Sequence, residues 1–128
     1  MKYLIDTQVL LWIITDDKRL SKKAKKIFLN SQNTILFSLA SLWEIAIKIS
    51  LKKLILDDGL PDFINKHIKG NAVEILDIEI SHILALENLP FHHRDPFDRL
   101  IISQSITENI SLVSSDKSFD MYTIKRIW

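Results

Sequence analysis

The chain has 128 residues, with 17 Lys and Arg against 16 Asp and Glu and a formal net charge of +1. This length predicts one domain, residues 1–128, and the balanced charge means that any nucleic-acid binding must come from local patches. The chain has no cysteine, which excludes disulfides, zinc–thiolate sites and thiol nucleophiles.

The positions of the glycines and the length of the apolar runs exclude further classes of protein. The two glycines, Gly59 and Gly70, are too far apart for a P-loop or a G-x-G-x-x-G turn. The apolar run Val9–Ile14 is too short to span a bilayer, and the acidic residues on both sides of it make a poor signal peptide. We therefore expect a cytoplasmic protein with no membrane partner.

The first half of the chain predicts two strands and four helices. Thr7 is the expected cap of the first helix and Ser21 that of the second. The helix that begins at Ser41 is apolar on nearly every side, which is typical of a buried helix. In chain order the predicted elements are strand Lys2–Ile5, helix 7–15, helix 21–31, strand Thr34–Phe37, helix Ser41–Ser50 and a weaker helix, 60–70, behind Pro61.

The second half continues the alternation of strands and helices. Pro96 suits the first turn of a helix, with Asp95 as its cap. The predicted elements are strand Val73–Leu76, helix Ser81–Glu87, loop Asn88–Asp95, helix 96–107, strand Ile110–Ser114 and a short final strand, Thr123–Ile127. This order predicts an α/β fold with a mostly parallel central sheet and helices on both faces.

Four acidic residues are placed where parallel strands end. Asp6 follows the first strand directly, and Asp116 follows the fourth in the stretch LVSSD. Glu44, in SLWEIAIK, and Asp98, in DPFDRLIISQ, lie in the first turns of helices that we expect to begin at the same edge. Since ligands of open α/β sheets bind outside the carboxyl ends of the strands, we expect these four carboxylates to converge there.

Carboxylates that face one another repel, so such a site needs a cation. Oxygen ligands without cysteine or a histidine triad favour Mg²⁺ or Mn²⁺ over zinc, as one ion or two. The four acids are therefore the candidate catalytic and metal-ligating residues.

Two of the four acids also have ordinary structural explanations. Asp6 could cap the first helix. Glu44 could complete a capping box with Ser41, or could pair with Lys48 one helical turn later. The metal hypothesis depends on all four acids meeting at one place.

The remaining acids allow similar alternatives. Asp98 could stabilise the N-terminus of its helix, and Asp116 could be a turn residue. Asp95 is foremost a helix cap, and a supporting role in orienting a ligand or water is the alternative. Thr7 and Ser115, each beside one of the acids, are further candidates for supporting hydrogen bonds.

Four stretches of the chain together resemble the PIN domain, and most closely its branch of VapC-type toxins from type II toxin–antitoxin systems. They are YLIDTQVLLW, SLASLWEIAIK, PFHHRDPFDRLIISQ and LVSSDKSFDMYTIKRIW. The resemblance implies a three-layer α/β/α sandwich and an endoribonuclease whose acidic pocket binds Mg²⁺ or Mn²⁺. It assigns the pocket to Asp6, Glu44, Asp98 and Asp116, and it implies a small VapB-like antitoxin partner and a homodimer.

The chain departs from the toxin pattern at two places. Relatives often read DTH where this chain has Asp6-Thr7-Gln8, and GKL where it has Lys52-Lys53-Leu54. Neither change removes a carboxylate.

An RNA substrate also requires positive charge. Six basic residues lie in the nine-residue stretch KRLSKKAKK, residues 18–26, either as the solvated face of a helix or as a phosphate-contacting patch. The candidate RNA-binding residues are Lys22, Lys23, Lys48, Arg94 and Arg99.

Three other functions compete with the RNA nuclease. A Mg²⁺-binding receiver domain would use Asp77, after the third strand, as its phosphoacceptor, but it would leave Glu44 and Asp98 without a role. A catalytically inactive PIN-like binding module is opposed by the intact set of four acids. A nuclease for structured DNA would use the same pocket.

Overall fold

The computed structural model describes residues 1–128 and contains a sheet of five parallel strands. The strands are β1 (Lys2–Ile5), β2 (Thr34–Ser38), β3 (Glu74–Leu76), β4 (Ser111–Val113) and β5 (Arg126–Ile127). They lie in the order β3-β2-β1-β4-β5. The chain moves outward from β1 first on one side and then on the other, so the strand order reverses between β1 and β4.

Six α-helices connect and cover the strands. They are α1 (Thr7–Ile14), α2 (Lys22–Leu29), α3 (Leu39–Ser50), α4 (Gly59–Phe63), α5 (Ile80–Glu87) and α6 (Pro96–Glu108). A π-helical turn, Ile64–Ile68, and a 3₁₀ turn, Lys69–Asn71, extend α4, and a second 3₁₀ turn, Lys117–Met121, follows β4. No helix combines the length and the apolar character that crossing a membrane requires.

Neighbouring residues of the central strands point to opposite faces and enter separate cores. Ile5 and Val113 pack on one face with side chains of α1, α2, α3 and α4, whereas Leu4 and Leu112 pack on the other with side chains of α6. A parallel sheet is stable when both faces are covered in this way. The predicted fold, an α/β/α sandwich around a parallel sheet, is confirmed.

One predicted helix cap and one predicted helix start are wrong. Asp6, not Thr7, occupies the N-cap position of α1, and its side chain makes no capping hydrogen bond. Helix α3 begins at Leu39 instead of Ser41, because the Ser38 hydroxyl accepts a hydrogen bond from the backbone N–H of Ala40, across 3.0 Å. Glu44 therefore lies more than one turn inside the helix and forms no capping box with Ser41.

The predicted burial of α3 is also only partly correct. Trp43 is 57% exposed, and its indole packs edge-on against the ring of Phe97 with 5.1 Å between the ring centroids.

The caps of α2 and α6 follow the prediction, since Ser21 accepts a hydrogen bond from the backbone N–H of Ala24 and Asp95 caps α6.

Helix α3 ends in a Schellman motif. The backbone N–H of Lys52 donates to the carbonyl of Ile49 across 3.0 Å, and that of Lys53 donates to the carbonyl of Lys48 across 2.9 Å. Lys52 has a φ of 59°, the left-handed conformation that usually belongs to glycine at this position. The departure from the GKL pattern therefore falls on a backbone position that favours glycine.

Candidate metal centre

A polar cavity of about 210 Å³ opens at the carboxyl edge of the sheet, where the strand order reverses. No hydrophobic residue lines it. The structure therefore brings the four predicted acids together with all three of the predicted supporting residues and one of the predicted basic residues. The lining residues are Asp6, Thr7, Gln8, Glu44, Lys48, Asp95, Asp98, Ser115 and Asp116.

Asp6 lies between the ends of β1 and β4. Its backbone N–H donates to the carbonyl of Val113 across 3.0 Å, and its Oδ2 accepts a hydrogen bond from the Ser114 hydroxyl at 2.8 Å. Burial raises the pKa of Asp6 to about 6, and repulsion from Glu44 and Asp116 adds to that rise, while the Ser114 hydrogen bond opposes it. The side chain is therefore held in place without a positive partner.

Glu44 reaches the cavity from α3 and is held by two neighbours. The Thr7 hydroxyl donates to its Oε1 across 2.9 Å, and the Lys48 ammonium lies 3.1 Å from its Oε2. Thr7 is buried, so its hydroxyl fixes one carboxylate oxygen. The pairing with Lys48, one of the two structural alternatives for Glu44, is confirmed, and it does not remove Glu44 from the cavity.

Asp95 and Asp98 enter from the N-terminus of α6. Asp95 Oδ1 accepts hydrogen bonds from the backbone N–H groups of Phe97, at 2.8 Å, and Asp98, at 3.1 Å. Partial burial raises the pKa of Asp98 to about 7, and repulsion from the surrounding acids, first Asp6 and then Asp95, increases the rise. Asp95 thus caps the helix and also borders the cavity.

Asp116 follows β4 and caps the 3₁₀ turn. Its Oδ1 accepts hydrogen bonds from the backbone N–H of Ser118, across 3.0 Å, and from the Ser118 hydroxyl. Its own backbone N–H donates to the Ser114 hydroxyl oxygen at 3.1 Å, and Ser114 in turn donates to Asp6. One serine therefore connects two acids, while the predicted Ser115 lines the cavity.

The sequence analysis selected neither Ser114 nor His93 as a site residue. Ser114 is completely buried at the end of an apolar strand, where a polar residue requires a partner, and that was its available signal. His93 Nε2 lies 3.7 Å from Asp116 Oδ2, and one ligand atom each from His93, Asp98 and Asp116 lie within 4.8 Å of one another. Only the folding of the loop before α6 against the turn after β4 creates this proximity.

The other basic candidates lie outside the cavity lining. Lys22, Lys23 and Arg94 are exposed. Arg99 is 7% exposed, and its guanidinium donates to the carbonyls of Pro90, at 3.0 Å, and Leu89, at 3.3 Å. Those contacts fix the loop before α6 and favour a structural role for Arg99 over RNA binding.

The cavity concentrates negative charge in a way that suits a hard cation. Five carboxylates line it and Lys48 is the one basic side chain among them. The raised pKa values of Asp6 and Asp98 reflect burial and mutual repulsion, which a divalent ion would relieve. Carboxylate oxygens are the ligands that Mg²⁺ and Mn²⁺ prefer.

Three solved structures share this fold over nearly the whole chain. The chain is 19% identical to a chain of VapBC2 from Rickettsia felis bound to a promoter DNA fragment, with a TM-score of 0.74, covering 99% of this chain and 98% of that chain. It is 15% identical to a chain of DNA-bound VapBC from Salmonella typhimurium, with a TM-score of 0.75 and coverages of 99% and 97%. For FitAcB from Neisseria gonorrhoeae the identity is 11%, the TM-score 0.68 and the coverages 98% and 96%.

No curated protein matches the chain in sequence. The sequence model of the PIN domain, in contrast, matches residues 3–125, nearly the whole chain and all the residues that line the cavity. The parallel sheet with its acidic carboxyl edge agrees with that match. The chain belongs to the PIN domain family.

Proposed function

We propose that the protein is a metal-dependent endoribonuclease and the VapC-type toxin of a type II toxin–antitoxin module, acting in the cytoplasm as a single PIN domain. The observation that carries the proposal is the convergence of Asp6, Glu44, Asp98 and Asp116 on one polar cavity at the switch in strand order. Membership of the PIN domain family supports it and counts against the receiver-domain alternative. Asp77, which a receiver would phosphorylate, does not line the cavity.

The four acids are the proposed ligands of one or two Mg²⁺ or Mn²⁺ ions. Bound to these oxygens, a divalent ion lowers the pKa of a water molecule and polarises phosphoryl oxygens, which is the chemistry that phosphodiester hydrolysis needs. Thr7 and Ser114 orient Glu44 and Asp6 through hydrogen bonds of 2.9 and 2.8 Å. Asp95 supports the site by holding the first turn of α6 and Asp98 with it.

Lys48 is the proposed contact to substrate phosphate inside the cavity. Its ammonium already lies at the cavity wall, 42% exposed and beside Glu44. The exposed Lys22, Lys23 and Arg94 are proposed to add positive charge along the path of the RNA. Such contacts position a nucleic acid without reading its sequence.

The proposed protein partners are a small VapB-like antitoxin and a second copy of the chain. Two helices expose apolar side chains, with Leu39 and Trp43 on α3 and Ile80, Ile83 and Leu84 on α5. Exposed apolar groups of this kind are typical of protein–protein contact surfaces. The similar folds of chains from VapBC and FitAcB, together with the resemblance of this sequence to VapC-type toxins, support this part of the proposal.

The first experiment is incubation of total cellular RNA with the purified protein, with Mg²⁺ or Mn²⁺, with EDTA, and with Asp6→Asn in parallel. We expect discrete fragments with metal that disappear with EDTA and with the variant. Structured DNA in the same assay separates a deoxyribonuclease from a ribonuclease. Intact RNA after incubation with folded, metal-loaded, antitoxin-free protein would contradict a general ribonuclease.

A further inference from the structure

His93 lies in the loop before α6, and its ring is held against the 3₁₀ turn after β4. Its Nε2 lies 2.6 Å from the Ser118 hydroxyl oxygen and its Nδ1 lies 3.1 Å from the Tyr122 hydroxyl. The ring also stacks on Tyr122, at 5.4 Å between centroids, and packs against Phe119 at 5.0 Å. With 12% of its side chain exposed, His93 has little freedom to turn.

The hydrogen bonds define which nitrogen carries the proton. The Ser118 hydroxyl donates its single proton to Asp116 Oδ1, so its oxygen must accept from His93 Nε2–H. His93 Nδ1 then accepts from the Tyr122 hydroxyl, whose oxygen accepts from the backbone N–H of His92 at 3.1 Å. Each donor in this series of hydrogen bonds has one acceptor, and the series ends at the carboxylate of Asp116.

This arrangement orients the carboxylate of Asp116. Both hydrogen bonds from Ser118, through its backbone N–H and its hydroxyl, go to Oδ1. The second oxygen, Oδ2, accepts neither of these hydrogen bonds and lies 3.7 Å from His93 Nε2. One carboxylate oxygen each of Asp98 and Asp116 and one ring nitrogen of His93 lie within 4.8 Å of one another. Because Nε2–H donates to Ser118, His93 has no lone pair on that nitrogen to offer to a metal ion.

We propose that His93 is a positioning residue for the metal centre, which acts through Ser118 to keep Asp116 Oδ2 available as a ligand. The inference rests on the proposed function, since it takes Asp116 as a ligand of Mg²⁺ or Mn²⁺. Partners that orient a metal ligand by hydrogen bonding typically change metal affinity by roughly 10- to 100-fold when they are removed.

The test measures binding of MnCl₂ to the purified full-length protein by isothermal titration calorimetry, without RNA. We expect about tenfold weaker binding for His93→Ala, a similar loss for Ser118→Ala, and no further loss in the double variant. His93→Gln, which can still donate a proton to Ser118, should recover most of the affinity. His67→Ala is the matched control, because His67 packs on Phe63 outside the cavity.

Pulsed electron paramagnetic resonance of the Mn²⁺ complex distinguishes positioning from direct ligation. We expect no coupling to a histidine nitrogen in the wild type, and a coupling that is lost in His93→Ala would overturn the proposal. Additive losses in the double variant, or wild-type affinity in folded His93→Ala, would also overturn it. If the wild type binds Mn²⁺ and cleaves RNA, any of these contrary results overturns only the role of His93, and the proposed function stands. A wild type that binds no Mn²⁺ would overturn both.

Discussion

The Ser114 hydroxyl donates a 2.8 Å hydrogen bond to Asp6 Oδ2 and thereby joins the carboxyl ends of two adjacent strands, β4 and β1. The same hydroxyl oxygen accepts the backbone N–H of Asp116. Two acids that repel each other are therefore held on one scaffold by a neutral, fully buried side chain. Negative charge is therefore concentrated at the cavity, since neither Asp6 nor Asp116 forms an ion pair with a Lys or Arg.

The role of Ser114 predicts a loss of metal affinity when its hydroxyl is removed. We expect Ser114→Ala to bind Mn²⁺ about tenfold more weakly, because Asp6 loses the hydrogen bond that orients it and stabilises its charged form. Isothermal titration calorimetry at pH 7.5 measures the change. Ser111→Ala, at the first residue of β4 and away from the four acids, should bind Mn²⁺ like the wild type. Equal affinities for the two variants would contradict the role of Ser114.

The raised pKa of Asp98, about 7 against an ordinary 3.8, predicts a pH-dependent effect on stability. Between these values the folded state binds more protons than the unfolded state, so the metal-free protein loses stability as pH rises from about 4 to 7. Because the Asp98→Asn variant lacks this ionisable carboxyl, it should not lose stability in this way as pH rises. In EDTA, its free energy of unfolding should exceed that of the wild type at pH 8, by a margin that shrinks toward pH 5.

Urea unfolding at several pH values measures that difference. Glu87→Gln, which removes an exposed carboxylate on α5, is the matched control and should give a margin that does not vary with pH. A constant margin for Asp98→Asn as well would show that the folded protein does not raise the pKa of Asp98.

Proton release on metal binding follows from the same acids. With pKa values of about 6 for Asp6 and about 7 for Asp98, the two carboxyls together carry about one proton at pH 6.5 and almost none at pH 8. Mn²⁺ binding should therefore release about one proton at pH 6.5 and almost none at pH 8. Titration calorimetry in buffers of different ionisation enthalpy counts the protons, and equal release at both pH values would refute the prediction.

Lys48 provides a test of substrate binding. We expect Lys48→Gln to raise the KM for RNA by about threefold to tenfold while kcat changes less, since the proposed role of the ammonium is to contact substrate phosphate and not to ligate the metal ion. Steady-state cleavage of a defined RNA fragment at two salt concentrations measures the effect. Lys66→Gln, on the π-helical turn away from the cavity, should leave KM unchanged. A fall in kcat alone would instead assign Lys48 to the chemical step.

The left-handed backbone of Lys52 predicts a stabilising substitution. A lysine with a φ of 59° is strained at the end of α3, whereas glycine adopts that conformation freely. We expect Lys52→Gly to raise the free energy of unfolding by about 1 kcal/mol. Lys53→Gly, one residue later and without a positive φ, should lower it. Chemical denaturation of both variants decides the matter, and a destabilised Lys52→Gly would show that the lysine side chain makes a compensating contact.

Local sequence was sufficient to place most elements and to select the acids. The sequence shows short apolar strands that alternate with helices, and it shows the helix caps Ser21 and Asp95 and the first-turn Pro96. Each of these signals acts within a few residues, so its effect can be read along the chain. The convergence of Asp6 and Asp116 also followed, since carboxyl ends of parallel strands share one edge. The start of α3 was misplaced because Ser38 and Ser41 are both good caps, and tertiary packing decided between them.

The sequence by itself determined the α/β class, the parallel sheet and the set of four carboxylates, because periodicity and strand-end position are local properties. Only the tertiary structure decided that β1 lies beside β4, so that Ser114 bonds to Asp6, and that the loop of His93 folds onto Ser118. These pairs are 108 and 25 residues apart. Contacts over such separations depend on strand order and on the packing of both cores, which no local pattern encodes.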